Sequence, residues 1–471
     1  MTDSSLIRCI KLLSAKEKAN LLEYLRCDLF NRRQELVLLC QYINTHLAKP
    51  GAGVFSPERL FAAAFPGKSY EYAKLRHTMS YLLEAVRQFL TFCEWENNPA
   101  VQQQMRIKAL RNRGLDKMFD QSMDKLEARL EQTPVRNAQY FYRQYELLQE
   151  KVEHAARKGR AIRIDLQPLP DQLTTFYVAE MLRHACSALM HQAVAGQKYQ
   201  IQLLEAVLEV ARQETMLDTP AIAVYYHAYR MLQHPELDDD FQTLKQLLLQ
   251  HEHRFEASEM RVLYLLAING CIRRMNAGQK EYIREAFEVY KVALERRFLF
   301  EKGYISGFTY KNIIRAGSAL EEQEWTEQFA ETYKEMLHPN ERQHSYNYNR
   351  AFLHFQRKEY AQAMRLLLQT ELDDPLNNLH AKRMLVRSYY ELREFMVLES
   401  LLQSFNIYVK RKKNLGYHRD LNLKFILYMQ RIIKLKPGPS VASGELAQQI
   451  AVDKDLAEKE WLQSILLSNH Q

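Results

Sequence analysis

The chain is 471 residues long, 47% hydrophobic and 26% charged, which excludes a disordered chain and leaves two or three ordinary domains or one long stack of repeats. Fourteen glycines and thirteen prolines are too few for the turns of a strand-rich or dinucleotide-binding fold, so an all-α chain is expected. The net charge of +8 is mild for this length and leaves nucleic acid or an acidic peptide open as partners without demanding either.

In chain order, residues 1–95 read as an N-terminal helical module. Ser14-Ala-Lys-Glu17 is a capping box that launches a helix through Leu21, Leu22 and Leu25. A second helix is expected from Glu35 to about Leu47, then a loop at Lys49–Gly53. Ser56-Pro57-Glu58 opens another helix and Phe65-Pro66-Gly67-Lys68 turns the chain into a long helix from about Tyr70 to Glu94. Such a module can be winged-helix-like, with Lys74–Arg87 entering a DNA groove. The few cations there share their helix with Glu71 and Glu84, so packing with solvated charge is the expectation.

Residues 96–165 predict three long helices separated by Arg113–Asp116 and Thr133-Pro134. Tyr140, Tyr142 and Tyr145 either stack on bases or fill a seam between helices, and the seam is expected. Arg157–Arg160 and Leu166-Gln-Pro-Leu-Pro170 mark the strongest boundary, since neither proline is expected inside a helix. From 171 to 436 helical hairpins follow one another. Tyr199, Phe241 and Tyr282 are the marker aromatics of the early units, and Gly196–Tyr199 and Gly278–Tyr282 each close one helix and open the next.

The pattern is clearest over 307–405. Trp325, Tyr360 and Phe395 are spaced 35 residues apart, each where a second helix begins. Small residues, Ala351 and Ala363, suit the crossing of the middle hairpin, and Asp374-Pro375 ends that unit. Leu398 stands where the third unit is expected to have a small residue. Over these hundred or so residues the chain resembles the tetratricopeptide repeat family. The resemblance implies an α-α superhelix with a concave surface that takes extended peptides, and the periodic aromatics with the scarcity of glycine predict an all-α chain with no sheet. Its residues would be Tyr310 and Ile313 in the first unit, Tyr348, Phe352 and Phe355 in the second, and Arg383, Arg387 and Tyr390 in the third. Arg383 and Arg387, four apart on one face, would make a carboxylate clamp. The alternatives are a groove that is merely hydrated or one filled by the protein's own tail.

Residues 403–436 carry nine basic groups against the single acid Asp420. Lys410, Arg411, Lys412 and Lys413 are the densest run, either a solvated helix C-terminus or an anion patch. After a break at Pro437-Gly-Pro-Ser, residues 437–471 are expected to be a linker and a capping helix near Asp453–Leu467 that carries Trp461.

No phosphate-binding glycine loop, nucleophile elbow or His-Glu-x-x-His pattern is present, and His251 and His253 point apart on a helix. No cofactor, metal or catalytic residue is expected. Six dispersed cysteines without a C-x-x-C, no apolar leader and no run of about 18 apolar residues point to a reduced, cytoplasmic protein without a membrane span. The expected function is a non-catalytic scaffold that binds a peptide or partner protein, acidic ones included. The alternative is a nucleic-acid-associated or regulatory protein that uses the basic C-terminal edge.

Overall fold

The computed structural model describes residues 4–48, 55–158, 165–412, 415–435 and 441–468, which hold 24 α-helices and one two-stranded hairpin. The chain divides into two compact units: Met1–Thr133 with Arg143–Leu169, and Pro134–Tyr142 with Pro170–Gln471. Among the described residues no helix is long and apolar enough to cross a membrane.

In the first unit α1 (Ser5–Leu12), α2 (Ala15–Arg26), α3 (Gln34–Leu47), α4 (Pro57–Ala64) and α5 (Tyr72–Glu96) enclose one apolar core. The capping box forms, with Ser14 Oγ accepting from the Glu17 N–H at 3.2 Å and the Glu17 carboxylate accepting from the Ser14 N–H at 2.7 Å. Helix α1 is an addition to the expected set, capped by Ser4 and burying Leu6, Ile7 and Ile10. The expected loop at Lys49–Gly53 lies outside the described residues, Phe55 onward excepted. On α5, Lys74 sits 3.9 Å from Glu71 and Arg87 3.4 Å from Glu84. Next come α6 (Pro99–Asn112), α7 (Asp116–Gln132) and α8 (Ala138–Lys158). Arg111 on α6 pairs with Glu150 and Glu153 on α8, both at 2.6 Å, and His154 stacks on Phe119 at 3.9 Å.

The second unit begins with Tyr142 in a seam between helices, while Tyr140 meets Arg136, four residues earlier. The Arg136 guanidinium lies 4.2 Å from the Tyr140 ring, and Tyr142 packs on Phe176 at 4.9 Å. Helix α9 runs over Pro168–Ala195, so Pro168 and Pro170 lie inside a helix after all. They occupy its first turn, where backbone N–H groups have no intrahelical partner to lose. Then follow α10 (Leu204–Ala211), α11 (Glu214–Leu217), α12 (Pro220–Gln233), α13 (Asp239–His251), α14 (Ala257–Asn276) and α15 (Tyr282–Glu295). Gly278 does turn the chain into α15, with φ 96°. Tyr199 opens no helix: it is 40% exposed, hydrogen-bonded to His191 at 2.6 Å, and α10 starts only at Leu204.

A hairpin of β1 (Phe300–Glu301) and β2 (Tyr304–Ile305) corrects the expectation of a chain without sheet. Lys302 and Gly303 both have positive φ, 50° and 86°, the geometry of a two-residue hairpin turn whose twist matches its strands.

Three hairpins follow: α16 (Gly307–Ala319) with α17 (Gln323–Thr332), α18 (Arg342–Gln356) with α19 (Tyr360–Leu368), and α20 (Pro375–Glu391) with α21 (Phe395–Arg411). The first helices also touch in sequence, α16 to α18 and α18 to α20. Each hairpin turns through one non-glycine left-handed residue, Glu321, Lys358 or Arg393, at φ 60°, 63° and 60°. The N–H of the next residue, Glu322, Glu359 or Glu394, donates to a carbonyl five residues back, at 2.9 Å in all three. Counted between these turns the repeat is 37 residues and then 35, so Trp325 is not the counterpart of Tyr360 and Phe395; Gln323 is. Four residues after each turn glutamate stand Thr326, Ala363 and Leu398, all fully buried. Pro375 does not end the middle unit. It starts α20, capped by Asp374, whose carboxylate accepts from the Leu376 N–H at 3.0 Å.

The chain ends with α22 (His418–Ile432), α23 (Val441–Val452) and α24 (Lys459–Ser468). The expected single helix is therefore two, and the second starts at Lys459 rather than Asp453. Trp461, Leu462, Ile465 and Leu466 of α24 are buried in the apolar core of the second unit.

Candidate functional site

The turn glutamates give a common ruler for α16, α18 and α20. Eleven and seven residues before them stand Lys311 and Arg315, Tyr348 and Phe352, and Arg383 and Arg387. Each pair is four apart and so shares one helix face. Two cation pairs thus flank an aromatic pair. The Arg315 Nη2 donates to the Tyr348 hydroxyl at 2.9 Å, and its guanidinium lies 5.6 Å from the Phe352 ring. Tyr310 and Ile313, expected on this face, stand out of register with these pairs; both are fully buried, and the Tyr310 hydroxyl donates to the Ala330 carbonyl at 2.7 Å. A two-residue slip of register turns a helix by about 200°, which is why aligning on Trp325 selects Ile313 in place of Lys311; Tyr310, one residue before Lys311, lies about 100° from it.

His380 completes the row. Its Nδ1 lies 3.0 Å from the Tyr348 hydroxyl. A guanidinium only donates, so the hydroxyl accepts from Arg315; it then either donates to Nδ1 or accepts a second hydrogen bond from it, according to the imidazole tautomer. Burial, reinforced by Arg315, Arg383, Lys311 and Arg387, holds the His380 pKa well below the usual histidine range. Burial, and then Arg315, also lowers the pKa of Lys311, whose Nζ donates to Asn377 Oδ1 at 2.9 Å. Asp374 opposes that shift, yet neither Lys311 nor Arg315 has an ion-pair partner among the described residues.

Arg383 and Arg387 are occupied. Glu458, just before α24, accepts from Arg383 Nε at 3.0 Å and from Arg387 Nη1 at 2.8 Å. Arg383 Nη1 also donates to Asn422 Oδ1 at 3.0 Å. The Arg387 guanidinium sits between two rings, 4.7 Å from Phe355 and 5.1 Å from Trp461. The Trp461 indole N–H donates to Glu391 at 2.8 Å, and its ring meets Tyr390 edge-on at 5.5 Å. Glu458 holds a left-handed backbone, φ 56°, unfavourable for a residue with a Cβ. A cavity of about 570 Å³ adjoins, lined by Arg387, Glu458, Lys459, Glu460, Trp461 and Ser464.

Six of the eight expected groove residues therefore gather, with Tyr348, Phe352 and Phe355 buried and Arg383, Arg387 and Tyr390 half-buried. Lys311, Arg315, His380 and Asn422 escaped sequence reading. The i, i+4 cations of α16 were the available signal, once counted from the turn.

Of the basic run, Lys410, Arg411 and Lys412 are exposed at the end of α21, and Lys413 lies outside the described residues. With Lys382, Ser404, Ile407 and Tyr408, Arg411 and Lys412 line a second cavity of about 560 Å³. Other cations of the segment are engaged internally: Lys424 pairs with Asp453 at 2.7 Å, Arg431 donates to Gln449 at 2.7 Å, and Arg419 donates to the Lys410 carbonyl at 3.1 Å. No protein-family model, curated protein or solved structure matches the chain.

Proposed function

We propose that this protein is a non-catalytic interaction scaffold of the cytoplasm, a tetratricopeptide-like superhelix whose face on α16, α18 and α20 receives a peptide segment of a partner protein. The observation that supports this reading is the row of register-equivalent pairs, Lys311 and Arg315, Tyr348 and Phe352, Arg383 and Arg387. Half-buried cations beside aromatic rings suit recognition of a chain with acidic groups, since charge-assisted hydrogen bonds gain strength away from bulk water. The six unpaired cysteines fit a reducing compartment.

A second reading has its own support, the exposed Lys410, Arg411 and Lys412 beside a cavity with no acidic lining residue. There the partner would be nucleic acid. Pull-downs from native lysate separate the two. Under the first reading, Lys311→Ala with Arg315→Ala removes the bound partner, while Lys410→Ala with Arg411→Ala and Lys412→Ala does not. The reverse result, with affinity falling steeply with log salt, sinks the peptide reading in favour of nucleic acid.

A further inference from the structure

Four cations, Lys311, Arg315, Arg383 and Arg387, share the face, and Glu458 is the one carboxylate ion-paired to them among the described residues. That carboxylate arrives from far along the chain, 75 residues after Arg383 and 71 after Arg387. Three residues further on, Trp461 closes over Arg387 and Tyr390. The segment that makes these contacts lies in the same helix-start turn, and its Glu458 backbone is in the left-handed region at φ 56°. Strain of this kind persists only where surrounding contacts hold it.

We propose that Glu458 to Trp461 is an internal stand-in for the true ligand, and that the face binds an acidic segment of a partner protein with a carboxylate three residues before an aromatic side chain. The stand-in satisfies half of the cations. Lys311 and Arg315 are left for further carboxylates, which a partner segment richer in acid supplies and the tail does not. The partner segment therefore binds by displacing the tail, and it gains the two ion pairs that the tail lacks. This proposal rests on the peptide-binding reading above and names its ligand class and its competitor.

Two features set the strength of the competition. A tethered group acts at an effective concentration on the order of millimolar, so the tail weakens any ligand that must displace it. Removing the Glu458 charge relieves this without touching the four cations.

The test uses the full chain and a fluorescein-labelled peptide, Glu-Glu-Ala-Glu-Lys-Glu-Trp-Leu-Glu-Glu, followed by anisotropy. Its Glu-Lys-Glu-Trp core copies residues 458–461. Glu458→Gln is expected to bind the peptide at least tenfold more tightly than the parent protein. Trp461→Ala serves as a second release of the tail and should act in the same direction. Adding Lys311→Ala and Arg315→Ala to Glu458→Gln should remove at least tenfold of the affinity. Circular dichroism confirms that each variant is folded.

If both release variants bind no more tightly than the parent, while the Lys311 and Arg315 changes still abolish binding, the competitor inference is overturned and the peptide reading stands. If the peptide with every glutamate replaced by glutamine binds as well as the acidic one, the ligand class is overturned. If no variant binds the probe and the Lys311 and Arg315 changes leave the lysate partner bound, both the inference and the peptide reading fall.

Discussion

Gly317→Ala gives a sharp test of the repeat register, because two effects of opposite sign meet there. In a helix interior alanine is favoured over glycine by about 1 kcal/mol. Against this, a Cβ at Gly317 would land inside the contact radius of Thr326 Oγ1 and 3.1 Å from Phe287 Cε2. Thr326 cannot swing away cheaply: it is fully buried, β-branched, and its hydroxyl donates to the Glu322 carbonyl at 2.6 Å. Overpacking of this kind costs about 1–3 kcal/mol, so the variant should lose up to about 2 kcal/mol once the helix gain is deducted. The obstruction is one hydroxyl-bearing side chain, and its counterpart in the next unit is Ala363. Gly317→Ala combined with Thr326→Ala should therefore recover the loss, a favourable coupling of about 1–3 kcal/mol. Urea unfolding of the two single variants, the double variant and the parent measures the cycle, and hydrogen exchange over α16 and α17 localises it. A Gly317→Ala protein more stable than the parent would refute the close approach, and with it the register that pairs Thr326 with Ala363.

Two further outcomes follow from the occupied clamp. Arg383→Ala with Arg387→Ala should not be silent for stability: Glu458 loses both partners, and each charge-assisted hydrogen bond is worth about 1.5–3 kcal/mol when well formed. Amide exchange should accelerate over 459–467 while α16 to α19 keep their protection; unchanged exchange in α24 would show that the tail is held by its apolar residues alone. Acidification should destabilise the second unit around α20 and α22. His380 is held neutral by burial and by Arg315, Arg383, Lys311 and Arg387, so the unfolded chain takes up its proton more readily than the folded one. Its contribution is complete above about pH 6.5 and is lost as pH falls below that value. His418, shifted down by burial and Arg383, adds in the same direction. Melting temperature followed from pH 8 to pH 5 should fall more steeply for the parent than for His380→Asn; parallel curves would count against the histidine.

Most of the helices were legible because their signals are local. Ser14 and Glu17, Ser56 and Pro57, and the scarcity of glycine each act within a turn or over the whole composition. The prolines misled at Pro168, Pro170 and Pro375 because a proline both forbids a helix interior and suits a first turn, and only the chain before it decides which. The three hairpins were legible, and their register was misplaced by two residues in the first of them. Trp325 is a larger ring than Tyr360 or Phe395 and stands two residues further along, stacked on Phe329 at 5.4 Å. The alignment that physics imposes runs through the left-handed residues Glu321, Lys358 and Arg393, none of which is a glycine, so no letter in the sequence announced them. The clamp itself was legible as two arginines on one face. Its occupant was not, since nothing local to Arg387 points to a glutamate 71 residues later.

That distance has a consequence in time. Chains emerge from synthesis N-terminal end first, at about 5–20 residues per second. Arg383 precedes Glu458 by 75 residues, so for about 4–15 s of every molecule's birth the arginines exist and their own carboxylate does not. During that interval the nascent chain carries an unguarded cationic face, already shaped by α16, α18 and their neighbours, and any acidic segment bound then would meet no competitor. An assembly formed on the ribosome and one formed by the finished protein would differ in rate for that reason alone.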